Sequence, residues 1–279
     1  KPDVFWEINN LIPAKISNPY GKYVTTVHDA FMMYMPENYV KFYRTYFKRG
    51  LNKTLSCIDG IIYNSEDTRG EIEKFFPQAK KVPHFISYCI VEPIAKTTDV
   101  PKGDYFFYVG NVERRKGGDV LLNAYARYRE MGGTYELCFG GKIREDWIQE
   151  IYEKLMGEIR GLNYLGYVTE EAKARYMNGC KAFLFPSRAE GFGIPVIEAL
   201  SCGKKVIATD LPVYKELGAE GVLQTIPVTD DVVDEFAKAM IEFEKTGGNA
   251  CSAGDCEDCT SIEACGETVA SQFYREPLT

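Results

Sequence analysis

The sequence predicts an α/β protein built on a parallel sheet, and three observations carry that expectation. From Pro101 onward, short apolar runs alternate with amphipathic segments. Runs of five to seven residues suit strands buried on both faces, and the segments between them suit crossover helices. Polar loops follow several of the runs, where parallel sheets bind ligands beyond their strand C-termini.

The elements follow in order. Asp104–Gly110 is a strand and Gly118–Glu130 a helix; Tyr135–Gly140 is a strand. Asp146–Arg160 is a helix with apolar positions at Trp147, Ile148, Ile151 and Leu155. Asn163–Val168 is a strand, and Glu170–Met177 a helix that Thr169 caps by accepting from the first turn. The strand Lys181–Pro186, the helix Pro195–Leu200 and the strand Lys204–Thr209 come next. A short helix at Leu211–Leu217, a strand at Val222–Ile226 and a helix at Asp230–Lys245 complete a doubly wound domain.

The first hundred residues read as a shorter version of the same pattern. Val24–Val27 and Gly60–Tyr63 are strands leading into the polar loops His28-Asp29 and Asn64–Asp67. Tyr39–Leu55 and Thr68–Phe76 are helices, and Val82–Phe85 is a short strand. Val91–Gly103, polar and holding two prolines, is a linker. The expected domains are 1–96, partial; 97–246, complete; a cysteine-rich loop, 247–266; and a C-terminal helix, 267–279.

Composition narrows the function classes. A 45% hydrophobic and 26% charged chain is ordinary for a globular protein. A net charge of −7 argues against general nucleic-acid binding. No apolar run reaches the roughly 18 residues that span a bilayer, and no signal-peptide pattern opens the chain. Cys57, Cys89, Cys138, Cys180 and Cys202 read as reduced core residues of a cytoplasmic protein. Cys251, Cys256, Cys259 and Cys265 have a spacing that could hold zinc or an iron–sulfur cluster. Their acidic, glycine-rich setting favours a plain loop instead.

Two loops carry the chemistry. Tyr108–Gly118, YVGNVERRKGG, sets Arg114, Arg115 and Lys116 immediately before a helix. A helix N-terminus already presents unpaired N–H groups and partial positive charge, so added cations make an anion site rather than a stable turn. A solvated basic turn is the plainer alternative. The second loop lies in SRAEGFGIPVIEALSCGKKVIATD. Gly191 and Gly193 permit close backbone approach, Pro195 suits the first helical turn, and Glu190 and Glu198 bracket the run. Helix-favouring carboxylates explain Glu198 tolerably but Glu190 poorly, because it precedes the helix. Cations beside hydroxyl-accepting carboxylates outline a site for a nucleotide sugar.

The residues EGFGIPVIE, followed by ALSCGKKVIATD, resemble the signature of family-4 retaining glycosyltransferases of the GT-B fold. The segments GNVERRKG, TVHD and YNSED are similar to the same family in the same order. The resemblance implies two Rossmann-like domains facing across a cleft, with the donor held mainly by the C-terminal one. It implies that Glu190 meets the transferred sugar's hydroxyls and Glu198 the ribose. Phe192, Gly193 and the adjoining Gly191 and Ile194 would present backbone to sugar and diphosphate. Lys116, with Arg115 or Arg114, would neutralise the leaving diphosphate beside Gly110 and Asn111. Relatives often carry an arginine where this chain has Asn111. His28 falls where a histidine often approaches the sugar, although a backbone-bonded turn histidine is an equal alternative.

The resemblance further implies transfer of a mannose- or glucose-type hexose from a GDP- or UDP-sugar, with retention and no protein nucleophile. No D-x-D occurs in the chain, so neither a catalytic metal nor another cofactor is expected. The acceptor would be a glycan or a lipid, which leaves room for peripheral association with the inner face of a membrane. Relatives carry more residues before the TVHD segment, so the first domain is expected to be truncated, processed or naturally reduced. A half sheet would expose an edge and invite a homo-oligomer or partner. A partial nucleotide-sugar-binding module and a GT-B epimerase are the competing readings.

Overall fold

A computed structural model of the chain describes residues 3–12, 21–219 and 223–247. Its contacts divide the chain into two units. One is Lys1–Cys89 with Glu190–Phe192; the other is Ile90–Ala189 with Gly193–Thr279.

The first unit holds a four-stranded parallel sheet in the order β1-β2-β3-β4. The strands are β1 (Val4–Glu7), β2 (Lys22–Val27), β3 (Gly60–Tyr63) and β4 (His84–Ile86). Strand β1 was not expected, because its Val4 and Trp6 are exposed and no buried apolar run announces it. Strand β4 begins after Pro83 rather than at Val82: Pro83 has no N–H to give a ladder, although its carbonyl accepts from Ile61 at 2.9 Å.

The helices of this unit are α1 (Phe31–Tyr34), also unexpected, α2 (Lys41–Leu55) and α3 (Glu66–Phe75). Helix α2 starts two residues after the expected Tyr39, because a 3-10 turn at Pro36–Asn38 and an extended Val40 precede it. Helix α3 starts two residues earlier than expected, because the Ser65 hydroxyl accepts from the Thr68 N–H at 3.0 Å and caps it. Phe47, Leu51 and Leu55 of α2 and Ile72 of α3 bury themselves with Val27, Ile61 and Tyr63 of the sheet.

The second unit is a six-stranded parallel sheet in the order β10-β9-β8-β5-β6-β7. Its strands are β5 (Tyr105–Val109), β6 (Glu136–Gly140), β7 (Leu162–Tyr164), β8 (Ala182–Phe185), β9 (Lys205–Thr209) and β10 (Leu223–Ile226). Its helices are α4 (Gly118–Glu130), α5 (Asp146–Glu158), α6 (Glu170–Gly179), α7 (Ile194–Ser201), α8 (Pro212–Glu216) and α9 (Val232–Thr246). Every element predicted between Asp104 and Lys245 is present, with ends moved by a few residues. The largest difference is β7, which stops at Tyr164 rather than Val168. Gly166 has φ +65° and turns the chain, and its carbonyl accepts from Gly141 at 2.7 Å.

The central strands β5 and β8 of the second unit are apolar throughout because both faces are covered. Phe106, Phe107, Phe139, Phe183 and Phe185 have no accessible surface. Phe106 packs against Tyr128 and Tyr135 at 5.5 Å and against Phe243 of α9 at 5.9 Å. The Thr169 hydroxyl accepts from Ala172 at 3.2 Å, so α6 is capped as its sequence predicts.

Cys138 and Cys180 are buried free thiols, and burial pushes them up to about 11 and about 12 respectively. Cys57 departs from the core reading: it is exposed, just past the end of α2. The four clustered cysteines and the predicted helix 267–279 lie outside the described residues. Among the described residues, no helix is long and apolar enough to cross a membrane.

Candidate active site

Strand order in the second unit reverses between β5 and β8: the chain builds outward through β6 and β7, then returns to place β8 on the other side of β5. At such a reversal the loops beyond neighbouring strands diverge and leave a crevice, which is where open parallel sheets take ligands. The loops leaving those two strands, 110–117 and 186–193, are the two that the sequence singled out.

Within the second unit these loops are tied backbone to backbone. The Arg188 N–H donates to the Arg115 carbonyl at 2.8 Å, and the Ser187 hydroxyl donates to the same oxygen at 3.3 Å. Gly117, the residue before α4, has φ +69°, and a Cβ there would stand 1.9 Å from the Pro186 carbonyl oxygen. No side chain fits, so glycine is required twice over, by conformation and by space. Gly110 adopts φ +151°, and its N–H donates to Gly140 at 3.0 Å. The Asn111 carbonyl accepts from the Tyr108 hydroxyl at 2.8 Å, which holds the start of the loop.

The three cations take different positions. Arg115 reaches Glu113 at 2.9 Å and the Ala189 carbonyl at 3.2 Å, so its guanidinium helps join the loops. The Lys116 ammonium lies over the Phe185 ring, 5.4 Å from its centroid. The Arg114 side chain is exposed, while its own N–H donates to Glu145 at 2.6 Å. Arg188, which the sequence reading passed over, clamps Asp119 in the first turn of α4 through two bonds of 2.6 and 2.8 Å. It also donates to the Arg114 carbonyl at 2.7 Å. Its position two residues before Glu190 was the only signal for it.

Helix α7 begins at Ile194, with Gly193 before it at φ +89° and Pro195 in the first turn. A Cβ at Gly193 would meet the Tyr214 ring at 2.9 Å. One turn in, the Glu198 carboxylate meets the Lys173 ammonium of α6 at 2.6 Å, and Glu170 meets the same ammonium at 2.7 Å. Burial raises the Glu198 carboxyl above its ordinary value, with Lys173 offsetting only part of that shift. Burial alone would lower Lys173, but the two carboxylates outweigh it and hold the ammonium charged. Glu198, Lys173 and Ile194 line a cleft of about 490 Å³ with Ile90, Val91 and Pro93. Glu190 does not line it. Lys173 was invisible to sequence reading, because its partner lies 25 positions away on another helix.

The tripeptide Glu190–Phe192 groups with the first unit. Glu190 is buried. The Gly191 carbonyl accepts from the Ser65 hydroxyl at 2.8 Å, and a Cβ on Gly191 would stand 2.5 Å from the His28 carbonyl oxygen. The Phe192 and Tyr88 rings lie 6.1 Å apart. His28 sits at the end of β2, with its N–H donating to Asn10 at 2.9 Å. Its Nε2 is 2.8 Å from the Ile8 carbonyl, which only accepts, so Nε2 carries the proton. The ring is bonded to backbone, as in the plainer of the two sequence readings. Asn64 is also buried here, with its side-chain oxygen unpartnered.

Comparison with known proteins places this geometry in a family. The family described as "Glycosyl transferases group 1" matches residues 92–254, more than half of the chain. The O-antigen chain mannosyltransferase B of Escherichia coli is 27% identical over 227 residues, covering 75% of this chain and 58% of that protein. A phosphatidyl-myo-inositol mannosyltransferase of Mycolicibacterium smegmatis is 28% identical over 182 residues, covering 62% and 45%. The chain thus spans about half the length of these relatives.

Among solved structures, sucrose-phosphate synthase from Thermosynechococcus elongatus matches at a TM-score of 0.71 with 18% identity, over 91% of this chain and 64% of that one. Anabaena HepE, solved in complex with UDP-glucose, matches at 0.69 with 20% identity, over 91% and 68%. At such identity the likeness is one of fold. With the two parallel sheets, it makes the fold GT-B.

Proposed function

Because the chain belongs to the group 1 glycosyl transferase family, we propose that it transfers a hexose, mannose by preference, from a GDP- or UDP-sugar to a glycan or lipid acceptor. The observation that carries this reading is the pair of interlocked loops at the strand-order reversal of the second unit. One loop brings cations to the start of a thirteen-residue helix, and the other leads into the helix that carries Glu198. The mannosyltransferase relatives favour mannose, and hence GDP-mannose, over the other hexoses.

Breaking a sugar–phosphate bond builds negative charge on the departing diphosphate and positive charge at the anomeric carbon. In this reading Lys116, supported by Arg114 and Arg115, and the N–H groups at the start of α4 stabilise the former. The role a divalent metal would otherwise fill falls to these groups. Gly110 and Asn111 let the diphosphate approach the backbone. Glu198 accepts from the ribose hydroxyls, and Glu190 accepts from hydroxyls of the transferred sugar. Gly191, Phe192, Gly193 and Ile194 meet the donor through their backbone. Retention of configuration follows if the acceptor attacks from the face the diphosphate leaves, without a protein nucleophile. Glu190 is therefore a hydroxyl acceptor and not a nucleophile.

The test is a panel of GDP- and UDP-sugars followed by calorimetry and by release of free nucleotide. The expected result is selective binding of one hexose nucleotide with slow hydrolysis. Lys116→Ala should weaken that binding about ten- to a hundredfold, the loss expected for a charged hydrogen bond. Absence of binding by any nucleotide or nucleotide sugar at millimolar concentration overturns the reading. Binding with no hydrolysis and no transfer favours a donor-binding module instead.

A further inference from the structure

Within the second unit, three carboxylates stand in or beside the basic loop that the donor reading gives to the diphosphate: Glu113, Asp119 and Glu145. An anion arriving there meets these charges as well as Arg114, Arg115 and Lys116. Arg115 holds Glu113 at 2.9 Å, and the Arg114 N–H donates to Glu145 at 2.6 Å. Asp119 is the one set in the first turn of α4, at the end whose N–H groups would face the phosphates.

Arg188 engages Asp119 with both arms of its guanidinium. Its Nη1 donates to Oδ1 at 2.6 Å and its Nη2 to Oδ2 at 2.8 Å, and Nη1 also donates to the Arg114 carbonyl at 2.7 Å. The guanidinium starts from a fixed point, because the Arg188 N–H donates to the Arg115 carbonyl at 2.8 Å. The two side chains are only 22% and 18% exposed, so water and salt screen the pair incompletely. An aspartate in a first turn is already stabilised by the partial positive charge of its own helix. Helix stability alone therefore does not call for the arginine. A phosphate site does, because a bare carboxylate at that end repels the anion that the N–H groups attract.

We propose that Arg188 is a positioning residue for the donor's diphosphate, acting through Asp119. It neutralises the Asp119 carboxylate and holds the loop 110–117 in place. The start of α4 then presents its N–H groups and Lys116 to phosphate without an opposing charge. The inference rests on the donor reading of the two loops and adds to it the residue that sets the sign of the site.

Calorimetry of the whole chain with GDP and with UDP tests it, in the parent, Arg188→Gln, Asp119→Asn and the double variant. In Arg188→Gln the uncovered carboxylate should weaken binding of the preferred nucleoside diphosphate at least about tenfold. Asp119→Asn removes the charge that needs covering, so its binding should equal or exceed the parent's. The double variant should bind within about threefold of Asp119→Asn, because the loss from Arg188→Gln requires the carboxylate. A pair that only braces the fold gives the opposite pattern: either single substitution weakens binding, and the double variant is no better than Arg188→Gln. That pattern overturns the proposal, as does unchanged binding in a folded Arg188→Gln. Circular dichroism melts establish folding. If Arg188→Gln does not fold, Asp119→Asn decides alone: equal or tighter binding supports the proposal and weaker binding overturns it. A parent that binds neither nucleotide overturns the donor reading and this inference with it, whereas the variant patterns overturn only the role of Arg188.

Discussion

Glu198 illustrates how a residue visible in the sequence acquires its state only from its neighbours. Its place one turn inside a helix behind Gly193 and Pro195 was legible. The Lys173 ammonium at 2.6 Å was not, and neither was the burial that raises its carboxyl above the usual range. A carboxyl whose folded value lies above its unfolded one binds its proton more tightly when folded. That group therefore contributes stability that is fully present below the ordinary value of 4.5 and is lost as pH rises through the raised folded value. Glu198→Gln cannot titrate. The melting temperature of the parent, relative to this variant, should rise as pH falls from 7 toward 4. A difference that stays flat or runs the other way would refute the account.

At the scale of elements, the turn into α4 depends on one glycine. Gly117 combines φ +69° with a backbone approach that leaves no room for a Cβ beside Pro186. Gly117→Ala should cost about 3 kcal/mol or more in chemical denaturation, from left-handed strain plus displacement of the Pro186 loop. Any nucleotide binding should fall with it, because the same contact joins the two loops. The sequence announced the GG pair but not its reason, since the residue that excludes a side chain lies about seventy positions away. Capping by Thr169 and Ser65 is local chemistry. The first was read directly from sequence; the second sets the start of a helix that apolar periodicity alone placed two residues late.

For the whole molecule, the second unit is organised around a sheet of aromatic strands, and its centre is Phe106. The ring has no accessible surface and meets Tyr128, Tyr135 and Phe243, which joins α4 and α9 to β5. Phe106→Ala should destabilise this unit by about 3–5 kcal/mol, read from the shift of a urea unfolding midpoint. Phe75, at the end of α3 in the first unit, is only partly buried, and its truncation should shift the curve far less. A shift of equal size for both would contradict this placement of the core.

The sequence by itself determined the alternation of strand and helix in the second unit, because strands buried on both faces must be apolar and crossover helices must be amphipathic. It also marked the two loops, because glycines, cations and carboxylates crowd there against ordinary helix-capping preference. Strand β1 escaped, since its apolar run, Val4–Trp6, is only three residues long. Tertiary structure alone decided the strand order, and so which loops adjoin at the reversal between β5 and β8. It likewise decided that Arg188 clamps Asp119 and that Lys173 meets Glu198. These pairings close over 69 and 25 residues of chain. No local propensity records them, because they form only once packing of the sheet brings distant side chains together.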